Sequence, residues 1–261
     1  YLGRVWPLLL VELWQGLRAR REPPRFWISG VALVCVGLAL LLSFSRGAIL
    51  LGIPAGLFTL GLLAGGRWRK ATLVGLVIFA VLLIPLFTTP RFAALLNPAS
   101  GTAFLRVALW RSAWAMFRDH PLLGVGPDNF LYAYRTRYIL PTAWEEFNLS
   151  HPHNWILDFA TRLGVLGLGV FLWLQTHFWQ RVLRLARQPG SARPLLCGLA
   201  ASMAVMLAHG LVDASFFYVD LAYVFFLTLA AVEWLGESHA SDLLDSSQAL
   251  DCAETRKTPL D

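Results

Sequence analysis

Charge is what this chain has least of. Only 15% of its 261 residues are Asp, Glu, Lys or Arg, and only 16 are acidic. A soluble domain carries about 25% charge, so this deficit, with 57% hydrophobic residues and a mean hydropathy of +0.57, excludes an ordinary soluble domain. Cysteine is scarce too. Cys35 and Cys197 lie in apolar runs and Cys252 near the end, with no Cys-x-x-Cys spacing, so neither a zinc frame nor a disulfide frame is indicated. No signal peptide is visible and no internal repeat is found. The first residue is Tyr1, and the segment LGRVWPLLLVELW (2–14) is too short and too polar for a complete span. It reads as the tail of a helix that begins earlier, so the chain is expected to be the C-terminal part of a larger protein.

What the chain does have is apolar length. Uncharged runs near the ~20 residues needed to cross a bilayer occupy 27–45, 47–66, 71–90, 163–180, 194–212 and roughly 216–232, the last with Asp220 near its start. The expected fold is all-α: a polytopic transmembrane helical bundle of about six full spans plus a partial N-terminal one. The net charge of +6 is concentrated between runs: Arg18, Arg20, Arg21 and Arg25, then Arg67, Arg69 and Lys70, then Arg181, Arg184, Arg187 and Arg193. The positive-inside rule puts these three connections in the cytoplasm. Residues 45–47, 88–152 and 213–220 then fall outside. These clusters are short and close to membrane, without the aromatic platforms that nucleic-acid binding needs. One membrane domain is expected over 1–236, and the polar stretch 237–261 is expected to be a disordered cytoplasmic tail.

Residues 88–152 form the longest segment between runs and are rich in aromatics, among them Trp110, Trp114, Phe130, Tyr134 and Tyr138. Loops of this length are functional or disordered, and the aromatic content argues for order. Within it, 103–118 reads as an interfacial helix with Leu105, Leu109 and Met116 on one stripe and Arg106 aligned with Trp110, Ala113 and Phe117. The helix stops at Asp119-His120-Pro121. Gly124-Val125-Gly126-Pro127-Asp128-Asn129 then makes a turn, in which a phosphate cradle is only weakly indicated because no strand precedes it.

Three residues near the outer face carry chemistry. Arg46 follows a full run, Arg106 lies on the surface helix, and His153 opens the run that follows the loop, with Asn154 near the helix N-cap. Asp158 and Arg162 are spaced to pair, as are His209 and Asp213. Guanidinium groups bind phosphate oxygens, and neutral imidazole accepts a proton near pH 7. The set suits displacement at a sugar carbon bearing a lipid-linked diphosphate, with His153 deprotonating the attacking hydroxyl. Plainer readings stand beside it: Arg106 snorkelling or stacking on Trp110, His153 as a structural residue, and His209 with Asp213 as a local hydrogen bond. His120 and His151 read as loop residues, and no carboxylate pair sits at ligand spacing with His151 and His153. No metal and no cofactor is expected.

The segment Arg118 through Phe130 (RDHPLLGVGPDNF), then His153-Asn154, nine residues, Gly164, two residues and Gly167, resembles the O-antigen ligase and polymerase superfamily. Arg46 to Leu50 is similar to its Arg-x-x-x-Leu element, Arg106 with Trp110 to its Arg and Trp before the His-Pro-Leu-Leu-Gly turn, and His209 to Asp213 to its His-x-x-x-Asp segment. The resemblance implies a metal-independent membrane glycosyltransferase at the outer face of the bacterial inner membrane. Its partners would be a polyprenyl-diphosphate-linked glycan donor, a glycan or lipid-core acceptor and the lipid bilayer, with no nucleic acid. It implies His153 as catalytic base, Arg46 and Arg106 on the diphosphate, and Asn154, His209 and Asp213 in support. The alternative is a transporter-like protein for a small anion such as bicarbonate.

Overall fold

A computed structural model describes residues 2–19, 23–43, 45–87, 101–188, 190, 192–214 and 216–255. Among them there is helix and no strand. The helices are α1 (Leu2–Ala19), α2 (Pro23–Leu42), α3 (Ile53–Ala64, entered through a π-turn at Ala48–Gly52), α4 (Gly66–Phe87), α5 (Gly101–Asp119), the short α6 (Phe130–Ala133), α7 (Trp155–Ala186), α8 (Arg193–His209) and α9 (Val219–Thr255).

The centre of the bundle is α8. It opens with Pro194 in its first turn, where a missing N–H costs nothing, and stops at Gly210. Residues Leu196 through Met203, with Val205 and Met206, are buried. Its small residues Gly198, Ala200, Ala201 and Ser202 let neighbours approach closely. α1, α3, α7 and α9 pack around it. The main core joins Phe171, Phe178 and Val182 of α7 to Leu199, Met203 and Met206 of α8 and to Phe225 and Val232 of α9. The outward faces of α2 and α4 are the reverse of a soluble surface: Ile28, Val31, Val34, Leu38, Val74, Val77, Val81 and Leu82 are all exposed. Contiguous apolar exposure on this scale marks a surface meant for lipid or a partner.

Among the described residues, the body of every apolar run falls in helix. By length and composition, two helices among the described residues suffice to cross a membrane, Trp155–Ala186 and Val219–Ser238, where the sequence suggested six spans; Phe26–Leu42, Ala48–Ala64 and Arg193–His209 are shorter apolar helices. α9 does not stop at the polar change near Glu237. It continues to Thr255, through a stretch with neither Gly nor Pro. The rest of the expected tail, 256–261, lies outside the described residues, as do 88–100 of the outer loop.

From α5 to α7 the chain forms an ordered lobe. Leu109, Ala113 and Met116 of α5 pack on Phe130, Tyr134 and Tyr138. Leu109 and Met116 of the apolar stripe therefore face the lobe's own core, against aromatics that follow in the same segment.

Candidate functional site

His153 lies where the lobe meets α7. Asn154 adopts the extended conformation of an N-cap, and its side chain accepts from the N–H groups of Ile156 (3.0 Å) and Leu157 (3.1 Å), a cap worth ~1 kcal/mol. The same side chain donates to the Leu211 carbonyl at 3.1 Å. Trp155 adds its backbone N–H to Gly210 O (2.8 Å) and its indole N–H to Leu207 O (3.1 Å). The start of α7 is thus bound to the end of α8. Between lobe and helix, His153 takes φ +50°, the one described residue other than glycine in the left-handed region. That conformation is costly and persists where the surroundings over-determine it.

The imidazole meets two groups. His153 Nδ1 is 3.3 Å from Asp213 Oδ1 and 3.2 Å from His151 Nε2. An ionised carboxylate only accepts, so His153 carries its proton on Nδ1 and keeps the Nε2 lone pair. Asp213 is itself held by the Ala214 N–H at 2.8 Å and lies 3.4 Å from His209 Nε2. Burial pushes its pKa up, but hydrogen bonds from His153, His209 and the Ala214 N–H outweigh that and hold it well below the carboxylate range. His209 and Asp213 do pair at i, i+4, although α8 ends at His209 and Asp213 belongs to the turn beyond. Burial pushes His151 down to about 4, with His153 and Arg162 acting in the same direction against Asp213. It is therefore neutral at pH 7. Its Nδ1 lies 3.2 Å from Ser150 Oγ and 3.3 Å from Tyr218 OH.

The two arginines reach this cluster through their neighbours. A Cβ built on Gly47 would stand 2.9 Å from His209 Cδ2 and 2.7 Å from Val212 Cγ2. Only glycine lets the Ser45-Arg46-Gly47 turn lie on the His209–Asp213 segment, and Arg46 is exposed beside it. Arg106 is half-buried on α5, one turn from Trp110, whose indole N–H donates to the Pro152 carbonyl at 2.9 Å. Among the described residues neither arginine makes a hydrogen bond or ion pair, and Arg106 does not stack on Trp110. The structure brings His153 and His209 each against Asp213, with Asn154 capping the helix that follows; Arg46 and Arg106 are linked to the cluster only through Gly47 and through Trp110 and Pro152.

The glycines of the two sequence patterns serve each other. α7 breaks at Gly164 (φ +66°), and the lobe segment 121–126 lies against the break. Val125 N donates to Thr161 O, Gly126 N to Arg162 O, and Val165 N to Pro121 O, at 2.7–3.0 Å. A Cβ on Gly124 would sit 2.5 Å from Thr161 O, and one on Gly164 2.2 Å from Leu122 O. The Gly-Val-Gly turn is therefore a backbone crossing; the N–H groups of Val125 and Gly126 are spent on α7 and that of Gly124 on the His120 carbonyl, so none is free to cradle phosphate. Arg162 locks the same joint. It donates Nε–H to Asp158 at 2.7 Å and its terminal nitrogens to the carbonyls of Pro127 and Ser150, with both charged groups buried. Its guanidinium lies 4.9 Å from the Phe217 ring centre.

Sequence reasoning passed over His151 and Tyr218. The His-x-His spacing was visible, but the carboxylate that joins it is sixty residues away. The reach of Arg162 to Ser150 was equally hidden behind its legible i, i+4 pairing with Asp158.

Helices with exposed apolar faces, two of them long and apolar enough to cross a membrane, fit the class of membrane proteins. A sequence model of the O-antigen ligase family matches residues 31–172, just over half of the chain, and the chain belongs to that family. This is a bacterial membrane family of glycosyltransferase-like ligases that act on glycans and lipid-linked substrates. The match contains Arg46, Arg106, His153 and Asn154; His209 and Asp213 lie beyond it. No curated protein matches the chain.

Proposed function

We propose that the protein is a membrane glycosyltransferase of the O-antigen ligase or polymerase type, moving a glycan from a polyprenyl-diphosphate carrier to a hydroxyl acceptor at the outer face of the bacterial inner membrane. The observation that carries the reading is the contact of His153 Nδ1 with Asp213 Oδ1. It leaves Nε2 as a base. The acceptor oxygen forms a new bond to the sugar carbon and gives its proton to Nε2. The bond from that carbon to the diphosphate breaks, and its electron pair leaves with the diphosphate. Arg46 and Arg106, both without a carboxylate partner among the described residues, stabilise the charge that grows there. They supply the cationic part that a metal ion fills in other transferases, so the step runs without one.

The same proposal extends to topology. The six apolar runs are six spans, with the basic connections in the cytoplasm and the lobe outside. The polyprenyl chain lies in lipid while its diphosphate meets the arginines at the outer surface. An anion transporter built on the same arginines is the weaker reading. Transporters use broken helices to bind ions with freed backbone groups, but here the groups freed at Gly164 are taken up by residues 121–126.

The test is transfer by the full-length protein reconstituted with a polyprenyl-diphosphate-linked glycan and its acceptor. Arg46→Lys and Arg106→Lys are each expected to lose roughly 10²-fold in turnover, since a point charge does not make the bidentate contact. Wild-type turnover in both, or bicarbonate flux in place of glycan transfer, contradicts the proposal.

A further inference from the structure

His151 has no part in the transfer step as drawn, yet it is half-buried beside His153. Among the described residues, one group of three metal-ligating side chains converges: His151, His153 and Asp213, with ligand atoms all within 4.8 Å of one another. His151 Nε2 to His153 Nδ1 is 3.2 Å and His153 Nδ1 to Asp213 Oδ1 is 3.3 Å. Ligands bound at 2.0–2.1 Å around a tetrahedral ion stand about 3.3 Å apart. Two edges of that tetrahedron are therefore in place before any ion arrives.

The outer contacts also match those of a built site. Metal-bound histidine uses its second nitrogen to hold a hydrogen-bond partner that fixes the ring. His151 Nδ1 has Ser150 Oγ at 3.2 Å and Tyr218 OH at 3.3 Å, hydroxyls that can hold the ring in place. Asp213 is steadied by the Ala214 N–H and by His209. The His153 and Asp213 side chains are 24% and 44% exposed, so an ion can enter and keep water in a fourth position.

We propose that His151, His153 and Asp213 bind a divalent transition metal of the Zn²⁺ class, and that its binding switches off His153 as a base. Two imidazoles and a carboxylate suit Zn²⁺ better than hard ions, which prefer all-oxygen sites. The switch is a change of tautomer. In the free site the His153 proton is on Nδ1 and the lone pair on Nε2. An ion on Nδ1 needs a lone pair there, so it displaces the Nδ1 proton, which moves through solvent to Nε2. No net proton is lost, but Nε2 becomes a donor and cannot accept the hydroxyl proton. The binding rests on geometry alone; the inhibition rests on the base assignment made above.

The experiment is Zn²⁺ titration of the tag-free full-length protein in nanodiscs, with Co²⁺ as a spectroscopic probe. One ion per chain is expected, with the intense visible bands of tetrahedral Co²⁺. His151→Ala should weaken binding by more than about tenfold, while His177→Ala, at a histidine that faces Glu233, should leave it unchanged. Failure of the unaltered protein to take the ion, octahedral Co²⁺ bands, or equal affinity in His151→Ala overturns the site. In the transfer assay, activity should fall as Zn²⁺ fills the site and return with chelator. Stimulation, or full activity at saturating Zn²⁺, overturns the inhibitory role. A protein that binds Zn²⁺ as described but transfers no glycan leaves the site standing and refutes the transferase reading, so the two failures are separable.

Discussion

Asp213 decides what His153 can do. Its oxygen lies 3.3 Å from Nδ1, and an acceptor there holds the neutral ring in the tautomer a base requires. In Asp213→Asn the side-chain amide can present a donor to Nδ1 and favour the wrong tautomer. Turnover is expected to fall about 10²-fold with little change in KM, and Asp213→Glu should restore part of it. An Asp213→Asn enzyme with wild-type turnover and altered KM would assign the residue to acceptor binding instead. At this scale the sequence was informative wherever partners are close along the chain. Asn154 as cap, Asp158 with Arg162, and His209 with Asp213 are all readable from spacing. The contacts of Asp213 with His153 and of Tyr218 with His151 cross sixty or more residues, and no periodicity reports them.

The helix α7 shows how two elements define one another. Its apolar run begins near residue 163, but the helix begins at Trp155. Asp158 and Arg162 break the apolar pattern in the first two turns, and they are tolerated because each neutralises the other while Arg162 also holds two lobe carbonyls. Gly164 then opens the helix to receive residues 121–126. Gly164→Ala would force a Cβ to 2.2 Å from Leu122 O at a φ of +66°. The cost is expected to be roughly 1–3 kcal/mol, read as a lowered Tm in detergent together with loss of transfer. An unchanged Tm would mean that the crossing does not hold the lobe. The crossing also explains why the Gly-Val-Gly turn and the Gly-x-x-Gly pattern occur together in one chain: each supplies the space the other needs. Neither stretch alone carries that information.

For the whole molecule, composition was enough to indicate a helical membrane protein, because the scarcity of charge constrains every element at once, while the family was legible only in the motifs. Neither gave the extent of α9, which runs from Val219 to Thr255 past the polar change near Glu237. The proposed orientation is open to direct measurement. With Cys35, Cys197 and Cys252 replaced by Ser, His120→Cys should react with a membrane-impermeant maleimide added outside intact cells, and Arg67→Cys only after lysis. The reverse pattern would move the lobe to the cytoplasm and separate it from an outward-facing donor. Most direct of all is glycan transfer by full-length protein carrying His153→Ala, with membrane insertion checked in parallel. If His153 is the base, transfer falls by at least ~10²-fold while insertion is unchanged. Full transfer by the alanine variant would contradict the account at its centre.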